Sequence, residues 1–170
     1  MLIVMAGLPG TGKSTLARAI AGPLRAVVLD KDRIRPALFP RELIEYSREQ
    51  DDFVMRVMLQ VAGYVLERDP ERNIVFDGRT FSQRYQRKEV LVFAAERGLP
   101  CLLVECVCPE EVAEARLQKD CDHPAANRTV ELYRQVRARF QPIEEPKIVV
   151  DTGRPPAECV ARCLEQLGRA

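Results

Sequence analysis

The sequence has no tryptophan, one histidine, and aromatic residues at only 6% of its 170 positions. Its tyrosines, Tyr46, Tyr64, Tyr85 and Tyr133, are scattered, so no stacking platform for single-stranded nucleic acid is formed. Charge of one sign is lacking too: the formal net charge is +1, which argues against coating nucleic acid or membrane by bulk charge. No run approaches the roughly 20 apolar residues of a membrane span. Met1 leads directly into apolar residues with no basic segment before them, so a leader peptide is not expected and a cytoplasmic location is.

What is present is an alternation. Short, nearly unbroken apolar runs at residues 2–6, 26–29, 74–76, 101–106 and 147–150 read as strands covered on both faces. Between them, residues 13–21, 47–68, 82–97, 109–119, 130–140 and 155–167 carry helical spacing. In the second of these, Phe53, Val54, Val57, Met58, Val61 and Val65 mark the expected covered face. The pattern predicts one α/β domain over residues 1–170, a five-stranded parallel sheet with helices on both faces. The polar stretch around Pro-Ala-Ala-Asn, about residues 119–129, is the expected short lid.

The six cysteines, in a chain not expected to be exported, read as small buried hydrophobes or idle thiols rather than disulfides. A zinc site from Cys106, Cys108, Cys121 and His123 has an unusual spacing and is not favoured.

Gly7-Leu-Pro-Gly-Thr-Gly-Lys-Ser14 follows the first strand and opens the first helix. That context makes G-x-x-x-x-G-K-[ST] a phosphate-binding loop: glycines let backbone N–H groups wrap the anion, and the helix N-terminus faces it. Gly10, Thr11, Gly12, Lys13, Ser14 and Thr15 are therefore the expected nucleotide contacts. Lys13 would reach the β- and γ-phosphates and the Ser14 hydroxyl would ligate Mg²⁺. Neither asparagine, Asn73 nor Asn127, stands in the Asn-Lys-x-Asp setting that reads guanine, and no Leu-Ser-Gly-Gly-Gln signature is present. GTPases and transporter ATPases are thereby set aside.

Asp30-Lys-Asp32-Arg-Ile-Arg35 follows the second strand, at the mouth of the ligand crevice in such a sheet. There Asp30 would hold a metal-bound water, Asp32 would accept a proton from an attacking hydroxyl, and Arg35 would clamp the acceptor. A plain helix cap by Asp30 or Asp32 is the alternative. The third strand ends in Asp77-Gly78, the form of a Walker B element, so Asp77 is expected to position a metal water or the acceptor. From Arg79 to Arg97, basic residues outnumber acidic ones, which favours a small anionic acceptor. Arg79, in the turn, is the expected contact, while Arg87 and Lys88 read as a solvated helix face. Arg134 to Arg139 likewise read as solvent-facing.

These pieces resemble the small P-loop kinase superfamily. They are most similar to its short kinases that include polynucleotide 5′-hydroxyl kinase domains, and also similar to shikimate and adenylylsulfate kinases. The resemblance rests on Gly7–Thr15, Asp30-x-Asp32-x-x-Arg35, Val75-Phe-Asp77-Gly78, Cys108-Pro-Glu-Glu-Val-Ala-Glu-Ala-Arg116-Leu and Phe140-Gln-Pro-Ile-Glu-Glu-Pro. It implies ATP as donor, Mg²⁺ as its partner and Asp32 as base. It further implies Arg116 on the adenine or phosphate side, a lid arginine (Arg128, or Lys119 in its place) at the transferred phosphate, and adenine bordered by Asp151-Thr-Gly153-Arg154. Phosphotransfer to the hydroxyl of a small, anionic or nucleotide-like acceptor is the expected activity, in a monomer or homodimer. Polynucleotide 5′-hydroxyl kinase and adenylylsulfate kinase activities are the alternatives, and an ATP-binding switch or partner module is the reading from another class.

Overall fold

Alternating side-chain direction along a strand sends successive residues to opposite faces of a sheet, and two separate cores result here. In the computed structural model, which describes residues 1–119 and 129–168, β1 (Leu2–Ala6) lies at the centre with every residue buried. Around it, β2 (Ala26–Asp30), β3 (Asn73–Asp77), β4 (Cys101–Val107) and β5 (Lys147–Asp151) pair in the order β2-β3-β1-β4-β5, all parallel. Leu2, Val4 and Ala6 point into one core, beneath α3 (Arg48–Arg68) and α4 (Arg84–Ala95). Ile3 and Met5 point into the other, covered by α1 (Lys13–Ala21) and α7 (Pro156–Leu167). The remaining helices are α2 (Lys31–Leu38), α5 (Glu110–Lys119) and α6 (Val130–Ala138), with a short 3₁₀ turn at Arg41–Leu43.

The expected α/β architecture is present, and several local expectations are corrected. The edge strands are covered less than the sequence suggested: β5 alternates, with Ile148 and Val150 buried and Val149 40% exposed. An edge strand has only one paired neighbour and one end of each covering layer. In α3 the buried face is Val54, Met55, Met58, Leu59, Ala62 and Leu66, while Phe53 and Val61 are exposed. Apolar residues occupy more than one stripe of this helix, so periodicity alone could not select the stripe that meets the sheet. Helix α2, which contains Pro36, is not among the helices read from periodicity, but the Asp30 cap offered as the alternative reading is present. The helix forms because the Asp30 side chain caps it, accepting a hydrogen bond from the Asp32 N–H at 3.0 Å.

Arg87 is a larger correction. It belongs not to a solvated face but to the interior, 1% exposed. Its guanidinium donates to the carbonyls of Phe81 at 3.0 Å and Pro142 at 3.1 Å and to the Glu145 carboxylate at 3.0 Å. The turn before α4 supplies the Phe81 carbonyl and the segment after α6 supplies Pro142 and Glu145, which a reading of α4 by itself cannot see. Hydrogen bonding to Arg87 and to backbone holds the Glu145 carboxyl below its ordinary range despite the opposing effect of burial. By contrast, Arg134 and Arg137 are exposed as expected, pairing with Glu114 and Glu110 across α5. The lid region, Cys121, His123 and Arg128 lie outside the described residues. Among the described residues no helix is long and apolar enough to cross a membrane.

Candidate active site

The phosphate loop leaves β1 and enters α1 through two left-handed glycines, Gly10 and Gly12, each with φ of 77°. At Gly10 a Cβ would stand 2.6 Å from the Ala113 carbonyl, so α5 packs directly on the loop and excludes any side chain there. Lys13 curls over the loop, its Nζ donating to the Gly7 and Leu8 carbonyls at 2.9 and 2.7 Å. Thr11 is buried and donates to the Leu8 carbonyl at 2.8 Å.

A second layer props the loop from behind. Arg116 of α5 donates to the Thr152 carbonyl at 2.7 Å and reaches the Gly10 carbonyl at 3.4 Å. The Thr152 hydroxyl, 92% buried with its residue, donates to the Thr11 carbonyl at 2.9 Å. Gly153 follows on the exposed side, its N–H donating to the Asp151 carboxylate at 2.9 Å. Arg116 and the segment after β5 thus meet at the loop, although Thr152, the link between them, was not singled out.

An open cleft of about 1120 Å³ runs from this loop toward α3. Gly10, Gly12, Lys13, Ser14, Thr15 and Arg116 line its loop end. Asp30, Asp32 and Arg79 line it further along, with Lys119 at the margin. Arg35 and Asp77 do not reach its surface, being 2% and 1% exposed.

Asp30 and Asp77 end adjacent parallel strands as register partners, with Asp32 at the first turn of α2. Burial, then the negative charges of Asp77 and Asp32, push the Asp30 carboxyl up from its ordinary value of 3.8. Both Asp77 carboxylate oxygens are buried and have no hydrogen-bond partner among the described residues. Buried carboxylate oxygens without donors call for a cation or for water held by one. No group of three or more His, Cys, Asp or Glu among the described residues forms a protein-only metal cage. The arrangement therefore fits magnesium, which keeps several waters and leans on substrate phosphates, and Ser14, Asp30 and Asp77 are the residues that would hold it.

Each predicted acceptor arginine meets a carboxylate through Nη2, while the Arg35 Nε and the Arg79 Nε and Nη1 are buried with no hydrogen-bond partner among the described residues. Arg35 pairs with Asp51, and Arg79 pairs with Asp52, through two adjacent carboxylates near the start of α3. Lys31, 6% exposed, joins Asp51 at 2.6 Å and lies 3.4 Å from Asp32. Arg79 also donates to the Tyr85 hydroxyl at 3.3 Å. Lys31, Asp51 and Asp52 were missed, since an acidic pair just after the Ser47 cap reads as a favourable helix start and nothing more.

Comparison with known proteins defines the class. The family described as an AAA domain matches residues 2–143, and the chain belongs to it. It is a member of the small P-loop kinase superfamily, with a nucleotide-binding phosphate loop. An adenylyl-sulfate kinase of Acaryochloris marina (strain MBIC 11017) is 29% identical over 168 residues, covering 95% of this chain and 78% of that protein. The fold is shared with the Mycobacterium tuberculosis APS kinase CysC in complex with AMPPNP and APS, at a TM-score of 0.73 and 20% identity over 98% of this chain and 96% of that one. It is shared equally with Chaetomium thermophilum Kti12 in complex with ADP-AlF3, at a TM-score of 0.71 and 15% identity over 100% and 98% of the two chains.

Proposed function

We propose that the protein transfers the γ-phosphoryl group of Mg·ATP to a hydroxyl of a small acceptor. The observation that carries this reading is Asp32: a carboxylate lines the same cleft as Lys13 and Ser14, and its backbone is fixed by the Asp30 cap. A module that only binds or slowly hydrolyses ATP has no use for a carboxylate so placed.

Magnesium held by Ser14, Asp30 and Asp77 would supply charge neutralisation to the bound triphosphate. The chain's own residues do the rest. Backbone N–H groups of Gly10 to Ser14 cradle the phosphates, and Lys13 swings from its loop carbonyls to the transferred group. Asp32 takes the acceptor proton as the acceptor oxygen bonds to the γ-phosphorus. The bond from that phosphorus to the bridging oxygen breaks, and ADP leaves with its electron pair. Arg116 holds the loop's geometry, and Arg128 or Lys119 from the lid side completes charge stabilisation.

The test is ATP-dependent phosphorylation across sugars, nucleotides, sugar acids, adenosine 5′-phosphosulfate and 5′-hydroxyl oligonucleotides. Lys13→Ala should abolish transfer, and Asp32→Asn should lower kcat on the best acceptor by about 10²-fold or more while ADP still binds. Undiminished turnover in Asp32→Asn removes the assigned base. A second reading, an ATP-binding partner module, draws support from the fold shared with Kti12. It takes over if no acceptor raises ADP release while ADP binds tightly.

A further inference from the structure

We propose that the acceptor is a neutral, polyhydroxylated molecule, selected by Asp51 and Asp52 through their hold on Lys31, Arg35 and Arg79. The inference rests on the phosphotransferase reading and specifies its substrate class.

The sequence favours an anionic acceptor, because basic residues dominate around Arg79. The structure places a carboxylate against each buried cation on that side. Asp51 receives both Lys31 and Arg35 on the same oxygen, Oδ1, and Asp52 receives Arg79 together with the Tyr85 hydroxyl. An incoming phosphate or sulfate would have to break these charge-assisted pairs and would meet Asp32 and Asp51 on the cleft wall. Apart from those of the loop end, the other cationic side chains on the cleft wall, Arg18, Arg33, Arg48, Lys119 and Arg139, are exposed, where water and salt weaken their pull.

The same wall suits hydroxyl groups. Asp32 and Asp51 accept hydrogen bonds, while Lys31, Thr80, Ser82 and Gln86 donate them, and all line the cleft. A hydroxyl both donates and accepts, so a polyol meets every one of these groups. An anion satisfies only the donors, and an ammonium only the carboxylates.

The pairing also leaves Asp51 and Asp52 with work that a helix start does not require. Both are about one-quarter exposed at their side chains, against 2% and 3% for the arginines they hold. Asp51 lines the cleft together with Lys31 and Arg79, while Arg35 sits behind it.

Two measurements test this. Inorganic sulfate is titrated into the ADP-saturated protein by calorimetry, wild type against Asp51→Asn and Asp52→Asn, with thermal melts as a folding control. Sulfate should bind wild type only weakly and each folded variant about tenfold tighter, since one carboxylate fewer then opposes it. In parallel, matched acceptors are compared for kcat/KM: a neutral hexose, the corresponding sugar acid, its phosphate ester and an amino sugar. Wild type should prefer the neutral hexose over each charged analogue by at least about tenfold. Tight sulfate binding by wild type, or a preference for any charged analogue, overturns the inference. Should no acceptor be phosphorylated, the phosphotransferase reading fails, and the sulfate titration on wild type still decides whether this wall admits anions.

Discussion

Asp30 and Asp77 stand directly opposite one another at the C-terminal ends of β2 and β3, two carboxylates in register. This juxtaposition is costly to the ligand-free protein and gives the site its affinity for a positive charge. It also ties nucleotide binding to stability, because what binds there relieves the repulsion.

The pH dependence of stability follows from the direction of the Asp30 shift. Its carboxyl is raised from 3.8, so above that pH the folded state holds this proton more tightly than the unfolded state does. Its contribution to stability is therefore largest at low pH and is lost as the pH rises through the raised value. Asp30→Asn removes the charge and keeps the α2 cap, since asparagine caps as well as aspartate. The ligand-free variant should melt above wild type at pH 7, and the gap should close as the pH falls toward 3.8. Its magnesium affinity in the presence of ADP should drop by about tenfold or more. Melting curves across pH and a magnesium titration check both.

Gly78 makes the close approach of β3 to the Asp30 cap feasible. Its φ is +83°, and a Cβ there would lie 2.8 Å from both the Asp30 Oδ1 and the Lys31 nitrogen and 2.9 Å from the Asp32 nitrogen. Two of these atoms are backbone and cannot rotate away. Gly78→Ala should cost about 2 kcal/mol or more in urea unfolding, from backbone strain plus displacement of the α2 N-terminus. It should also depress transfer, since Asp32 moves with that turn.

Arg87 should behave as a structural residue with no part in the chemistry. Arg87→Met leaves the carbonyls of Phe81 and Pro142 without their donor and should destabilise by about 3 kcal/mol. Arg87→Lys should not restore stability, because one ammonium cannot replace a planar fork serving separated acceptors. Urea midpoints measure both, and ADP affinity of the folded fraction should stay at the wild-type level.

The phosphate loop, the alternation of strands and helices, and the carboxylates at the strand ends were legible because each is a local pattern. A tight glycine turn between a strand and a helix, or an apolar run ended by aspartate, carries its physics within a few neighbouring residues. Helix α2 spans only eight residues, too few for apolar periodicity to mark it, and its Asp30 cap was visible only as an alternative role for that carboxylate. The stripe of α3 that is buried depended on where the sheet lies, since its apolar residues allow more than one choice.

Charge was the property that sequence alone could not assign. Counting arginines showed a basic neighbourhood around Asp77, yet the effective charge of that neighbourhood depends on what each arginine touches. Asp51 lies 16 positions from Arg35, Asp52 lies 27 from Arg79, and Glu145 lies 58 from Arg87. Electrostatic and hydrogen-bonded pairing acts over a few ångströms of space and is indifferent to separation along the chain. The sequence by itself therefore determined the fold class and the phosphate-binding loop. Only the tertiary structure decided which cations remain to meet a substrate.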